Sequence, residues 1–363
     1  MRLLTLAILF LAILFFHGRL FLIRSLFQLL VLKNKTGMSV GNPSLALSTT
    51  SPHWSNLSTE AQTLYNLIMW KKHNTSPSAQ QMRQQTVTQF APALADFSHV
   101  TFLRDSVWVQ LRKDGNEGKV VMLLHGGAGF RGEVNGFQLR SLVEHVGSRG
   151  RVKKGKLMGV LSVRYRLMAL SDEEARDGGY ATSFSQQVDD AVEGYKWLVQ
   201  RVRSEQIVVI GDSFGACLAS AMLHRLATTT EMDMPHAAVL ISGVYDLTMR
   251  LSMEYLTERN TVFSSKELLE VMKRLYEKDG HLSPLVTWKN ANERILQTKL
   301  MVVYSKDEEF TQENVEFVNL LKERGADVEV MAEDMMIHVF PYMAWYFPEA
   351  RVALDRILDF VER

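Results

Sequence analysis

The sequence predicts an α/β fold, a mostly parallel central sheet flanked by helices on both faces. Three observations carry this. Short apolar runs alternate with segments of helical periodicity along most of the chain, the order of repeated strand–helix–strand units. The runs KVVMLL at Lys119–Leu124, LMGVLSV at Leu157–Val163 and QIVVI at Gln206–Ile210 are continuous, not alternating, as expected of strands covered on both faces. The last of them leads straight into Gly211-Asp212-Ser213-Phe214-Gly215, a tight strand-to-helix junction.

Composition sets outer bounds. A chain of 363 residues has room for one large domain or two smaller ones. Hydrophobic residues at 47% and charged residues at 22% are the balance of a folded protein. A formal net charge of +1 argues against a general nucleic-acid binder, which shows a basic domain or stripe. A single cysteine, Cys217, excludes an intramolecular disulfide and a Cys-based zinc cluster, and the best reading of it is a buried, inert thiol.

The elements follow in order. Leu3–Phe16 is almost unbroken apolar sequence. His17, Gly18 and Arg19 follow, and a second apolar stretch, Leu20–Leu32, carries Arg24 and Gln28. A membrane core about 30 Å thick needs about 20 helical residues, and Leu3–Ile23 meets that if Arg19 snorkels to the interface. No small-residue cleavage site follows, so residues 1–33 are expected to be an uncleaved signal-anchor with the membrane as partner. Arg19, Arg24, Lys33 and Lys35 favour a cytoplasmic body, whereas sequons at Asn34, Asn56 and Asn74 favour a lumenal one. Residues 34–95 form an N-terminal cap or linker region. One helix starts there near Ser58, carrying Leu64, Leu67, Ile68 and Trp70. The main domain is expected over 96–363. It opens with an antiparallel pair at His99–Leu103 and Ser106–Leu111. Helices are predicted at about Phe137–Val146, Gln187–Arg201, Phe214–Leu226, Asn314–Arg324 and Pro348–Glu362. Further strands are predicted at Ala237–Ser242, Lys299–Tyr304 and Val328–Met331. Residues from about 247 to 293 interrupt the alternation with helical material and read as a cap insertion above the sheet.

The junction at Ser213 has the form G-x-S-x-G. A nucleophilic serine there needs a strained, very tight turn with no side chains two residues either side, hence Gly211 and Gly215. Upstream, the strand VVMLL enters His125-Gly126-Gly127-Ala128-Gly129-Phe130. A loop nearly free of side chains lets backbone N–H groups approach a carbonyl, so Gly127 and Ala128, with Phe214 from the elbow, are the expected oxyanion donors. His125 and Gly126 read as loop support, His125 as a brace and not a catalyst. Gly127–Gly132 also reads G-x-G-x-x-G, a dinucleotide pattern, with Arg164 placed to mimic a contact to a 2′-phosphate. However, no acidic residue ends the next strand, no helix opens at Gly132, and that reading leaves the serine elbow unexplained. An acid and a histidine should follow the serine in that order. Asp307, just past LMVVYS, is the expected acid, with Glu308 and Glu309 as fallbacks that could equally form a solvated acidic turn. His338, in a short loop after DVEVMA and before an aromatic-rich helix, is the expected base.

Further segments complete the pattern: Ser162-Val-Arg-Tyr-Arg-Leu167, Gln187-Val-Asp-Asp-Ala-Val-Glu-Gly-Tyr-Lys-Trp-Leu198, Leu240-Ile-Ser-Gly-Val-Tyr-Asp-Leu247, Ser283-Pro-Leu285 and His338-Val-Phe340. In this order, with H-G-G-A-G and G-D-S-F-G, they resemble the hormone-sensitive-lipase-like α/β-hydrolases, a group with arylacetamide deacetylases, steryl acetyl hydrolases and microbial esterases. The resemblance covers about Lys119 to Phe340. It implies an α/β-hydrolase fold with a helical cap and a serine esterase, lipase or deacetylase activity without metal or cofactor. The implied substrate is a lipophilic ester such as a steryl acetate, acylglycerol or arylacetamide, and amide hydrolysis would use the same machinery. The anchored members imply a single-pass protein of the endoplasmic reticulum with a lumenal catalytic domain and a role in lipid metabolism. Three departures stand out. Ala128 replaces a glycine, Glu-Glu follows Asp307 where the family has Pro-Leu, and Val339 follows the histidine where a glycine is usual. The alternative from another class is a weak or inactive hydrolase that binds ligands, the state of family members that lack a triad residue.

Overall fold

A computed structural model describes residues 100–103, 106–111, 118–148, 157–229, 231–258, 266–334, 336–344 and 347–363. The expected anchor at 1–33 and the cap region at 34–95, with its helix near Ser58, lie outside the described residues. Among the described residues, no helix is long and apolar enough to cross a membrane.

The strands are β1 Val100–Leu103, β2 Ser106–Gln110, β3 Lys119–Leu124, β4 Leu157–Ser162, β5 Ile207–Asp212, β6 Ala237–Ile241, β7 Lys299–Ser305 and β8 Val328–Glu333. They form one eight-stranded sheet in the order β1-β2-β4-β3-β5-β6-β7-β8. β1 pairs antiparallel with β2, as the hairpin reading requires, and β2 pairs antiparallel with β4. All the other pairings are parallel. The helices are α1 Phe137–Ser148, α2 Asp172–Asp177, α3 Phe184–Val199, α4 Phe214–Thr229, α5 Arg250–Glu258, α6 Lys266–Tyr276, α7 Pro284–Thr287, α8 Thr311–Glu323 and α9 Pro348–Glu362.

The continuous apolar strands are explained by two cores. Successive side chains of a strand point to opposite faces. Val120, Met122 and Leu124 of β3 accordingly join the layer of α3, α4 and α8, whereas Val121 and Leu123 join the layer of α1 and α9. β5 has no exposed residue because both of its faces are roofed. α3 buries Phe184, Val188, Ala191, Val192, Tyr195 and Leu198, a stripe at helical spacing. The stripe begins at Phe184, three residues before the predicted start, and Gln187 sits inside it. α2 is an element the periodicity did not indicate. It is short, buries none of its residues, and is held by local chemistry: Ser171 caps the Glu174 N–H at 3.2 Å, and Gly178 closes it in the left-handed conformation. The insertion between β6 and β7 is helical as expected, formed by α5, α6, α7 and shorter turns running to Gln297. The helix expected just after His338 is instead a single 3₁₀ turn, Phe340–Met343, with Pro341 at its start.

Strand register sets up the site. Leu124 lies opposite Gly211, Asp212 opposite Ile241, and Ile241 opposite Val303. The loops after β3, β5, β6 and β7 therefore leave the sheet side by side at its carboxyl edge, where ligands bind in open α/β sheets.

Candidate active site

Ser213 sits directly after β5 with φ +53°, a left-handed conformation for a residue with a side chain. Its N–H donates to Ile241 O at 2.8 Å, and its carbonyl accepts from Ala216 N–H at 3.1 Å as α4 begins. Such backbone strain costs about 1–3 kcal/mol and persists only where the surroundings over-determine it. The elbow glycines are required by space: a Cβ on Gly215 would meet the His125 carbonyl at 2.7 Å, and one on Gly211 would meet Gly215 C at 2.6 Å. A Gly215→Ala variant should therefore lose about 2–3 kcal/mol of stability in urea unfolding, the cost of forcing a methyl against fixed backbone. A loss below about 0.5 kcal/mol would contradict the tight elbow.

The loop after β3 packs directly on this elbow. A Cβ on Gly126 would stand 3.0 Å from Ser213 Cβ. Asp212, inside the motif, is the fastener. Its carboxyl accepts from Gly126 N–H at 3.1 Å and from Gln138 Nε2 at 3.2 Å, and burial pushes its pKa up to about 7. His125 is placed as a brace. Its ring stacks on Tyr165 with centroids 4.5 Å apart, and its Nδ1 donates to Gly126 O at 2.7 Å, since a carbonyl can only accept. Burial lowers its pKa to about 4, so it is neutral at ordinary pH. The Tyr165 hydroxyl donates to His125 O at 2.8 Å. Gly127 has φ +119° and Ala128 φ +57°, so the alanine occupies a conformation better suited to glycine. Phe214, the other expected donor, is the first residue of α4 and is fully buried.

His338 follows β8 and is buried. Its Nδ1 lies 2.8 Å from Glu308 Oε2. This corrects the expected acid: Glu308 meets the imidazole, and Asp307 does not. The chain turns sharply after β7. The Asp307 N–H donates back to Ser305 Oγ at 3.1 Å and its side chain is half-exposed, so the next residue is the one that points inward. Glu308 is held by the Ser305 N–H at 3.2 Å and by the Ser242 hydroxyl. Glu309 is buried as well, 3.9 Å from His338 Nδ1, so neither fallback glutamate belongs to a solvated turn.

Ser242 also links the histidine to the serine. Ile241 O accepts from Ser213 N–H, and the neighbouring Ser242 Oγ accepts from Val339 N–H at 3.0 Å. Val339 has φ +53°, a true outlier for a β-branched residue, at the position where the resemblance would place glycine. Tyr165 and Ser242 lie in segments that carry the resemblance, but the sequence assigns them no role, and it does not mark Gln138, since the partners of all three lie many residues away.

Burial disfavours charge on both members of the pair, pushing Glu308 up to about 8 and His338 down to about 4. Arg131 adds to the lowering at His338. The two groups share one hydrogen bond and titrate as a pair. A free lone pair on His338 Nε2 requires an ionised Glu308 holding a proton on Nδ1. Burial favours the neutral glutamate, so base function weakens as the pair takes up a proton at lower pH. Ester-hydrolysis kcat/KM should therefore rise with pH and level off above about 8, and a flat profile between about pH 6 and 9 would contradict this.

A buried serine on an elbow, a histidine held by a carboxylate and a braced, glycine-rich loop on one carboxyl edge define an α/β-hydrolase site. A family model described as an alpha/beta hydrolase fold matches residues 121–342, and the chain belongs to that family. Among curated relatives, an ethyl acetate hydrolase of Pseudomonas putida is 23% identical over 259 residues, 68% of this chain and 73% of the relative. An esterase of Acinetobacter venetianus is 26% identical over 258 residues, 69% and 77% of the two chains. Solved structures share the fold. EstE5 soaked in ethyl alcohol has a TM-score of 0.65 at 21% identity and covers 83% of this chain and 96% of its own. An esterase of the bacterial hormone-sensitive lipase family has a TM-score of 0.62 at 22% identity, covering 80% and 92%. The α/β-hydrolase fold that the resemblance implied is thus the fold of the chain.

Proposed function

We propose that this chain is a serine carboxylic ester hydrolase that works through an acyl-enzyme. The observation that carries the reading is the buried Glu308–His338 pair at 2.8 Å, joined through Ile241–Ser242 to the strained Ser213. In this mechanism His338 Nε2 takes the proton of Ser213 Oγ as the oxygen attacks the ester carbonyl. The N–H groups of Gly127, Ala128 and Phe214 hold the oxyanion. The imidazolium, stabilised by Glu308, returns the proton to the leaving alcohol, and water then releases the acid by the same steps in reverse. The relatives named ethyl acetate hydrolase and esterase support the reaction class. A lipophilic ester, such as a steryl acetate, acylglycerol or arylacetamide, is favoured by the apolar N-terminal stretch and the insertion between β6 and β7. The apolar N-terminal stretch Leu3–Leu32 supports membrane anchorage, and the sequons at Asn34, Asn56 and Asn74 support a catalytic domain on the lumenal side.

The test is hydrolysis of p-nitrophenyl acetate, butyrate and decanoate by the detergent-solubilised full chain, with serine labelling by a fluorophosphonate. Turnover with a label on Ser213 is the expected result, and the acyl-length profile reads the depth of the acyl pocket. A folded protein that neither turns over any of the three esters nor takes the label overturns the proposal.

A further inference from the structure

The oxyanion loop carries an internal polar support that the catalytic reading does not use. Gln187 lies in the apolar stripe of α3, fully buried. Its Nε2 donates to Gly129 O at 2.8 Å and to Arg166 O at 2.8 Å, and its Oε1 accepts from the Tyr276 hydroxyl at 3.1 Å. The amide orientation is fixed by its partners, because two carbonyls can only accept and must face the NH₂. Gly129 O also accepts from Met168 N–H at 2.8 Å, so that one carbonyl is pinned twice. It lies one residue beyond Ala128, whose N–H is an expected oxyanion donor.

Tyr276 ends α6 of the insertion. Its ring packs on Phe214 with centroids 4.8 Å apart, and its hydroxyl fills the place where a side chain at Gly129 would stand. One tyrosine of the insertion thus contacts both halves of the expected oxyanion hole, the loop at Gly129 and the elbow at Phe214. A buried amide that meets two carbonyls and a hydroxyl is costly unless all three bonds form, so its presence in an apolar stripe selects one loop geometry.

We propose that Gln187 is a positioning residue for the oxyanion hole, holding the loop through Gly129 and coupling it to the cap insertion through Tyr276. This rests on the serine-hydrolase reading.

The test uses the detergent-solubilised full chain with Gln187→Met, Gln187→Glu and Tyr276→Phe. It measures kcat and KM for p-nitrophenyl butyrate, the Ser213 labelling rate with a fluorophosphonate, and binding of a trifluoromethyl ketone. Gln187→Met keeps the volume and removes the hydrogen bonds. Its kcat, labelling rate and ketone affinity should each fall about 10²-fold with KM nearly unchanged, because small misplacements of oxyanion donors act on the transition state. Tyr276→Phe should fall in the same three readouts by a smaller factor. In Gln187→Glu the deficit should deepen as pH rises, since an ionised carboxylate would face the carbonyls of Gly129 and Arg166. A merely structural glutamine would lower thermal stability and leave kcat of the folded fraction and ketone affinity unchanged, and that result overturns the proposal. If Gln187→Met does not fold, Tyr276→Phe decides, and wild-type kcat and ketone affinity in that variant overturn it. A wild-type chain with neither turnover nor label removes the serine-hydrolase reading and this proposal with it. A labelled wild type with unaffected variants removes this proposal alone.

Discussion

Replacing Ser213 by alanine should lower kcat/KM for p-nitrophenyl butyrate by about 10⁴-fold or more, with KM little changed and the fold intact. The size follows from the mechanism. Without Oγ no acyl-enzyme forms, and the remaining rate is water attack assisted only by binding and the oxyanion donors. The fold should survive because the backbone conformation at φ +53° is held by the Ile241 and Ala216 bonds, which alanine keeps. Fluorophosphonate labelling should vanish in the same variant. Residual turnover within about tenfold of wild type would mean that a different nucleophile carries the reaction.

Glu308→Gln should cost about 10³–10⁴-fold in kcat, whereas Asp307→Asn should stay within a few-fold of wild type. A glutamine at 308 keeps the shape but presents an amide to His338 Nδ1. Where the amide NH₂ faces the ring, Nδ1 must become the acceptor, and the proton moves to Nε2. The imidazole then offers no lone pair to Ser213, and no counter-charge meets the imidazolium. Asp307 has no such contact, its N–H being bound to Ser305 Oγ and its side chain half-exposed. The pH profile provides a second readout. Wild-type activity should rise toward about 8, and Glu308→Gln should lose that limb. Equal losses at 307 and 308 would contradict the pairing at 2.8 Å.

The parts of the site that were legible share one property: their chemistry is local. The elbow is a five-residue steric problem, and its solution needs glycines at 211 and 215 around any serine that takes a left-handed turn. The oxyanion loop is equally local, a run of residues with almost no side chains after a buried strand. His338 is legible from order along the chain, since an α/β-hydrolase runs serine, acid, histidine and this residue follows the last strand. The helix α3 was legible from its stripe, and Gln187 could have been found the same way, as one polar residue at an inward position between Phe184 and Val188. The short α2 was missed because capping and not apolar periodicity holds it.

The individual strands and helices, the serine elbow and the glycine-rich loop follow from patterns within about ten residues, where backbone sterics and side-chain periodicity act, and the parallel sheet and the α/β-hydrolase class follow from the order of those elements along the chain. The choice among three adjacent acids does not. Asp307, Glu308 and Glu309 offer the same group, and a single residue of turning after β7 decides which one faces His338. Ser242 likewise gains its role only because β6 lies between β5 and β7, and Tyr276 only because the insertion folds back onto Phe214. Those contacts join residues tens of positions apart, and their geometry is fixed by packing of the whole sheet and cap, which no local pattern encodes.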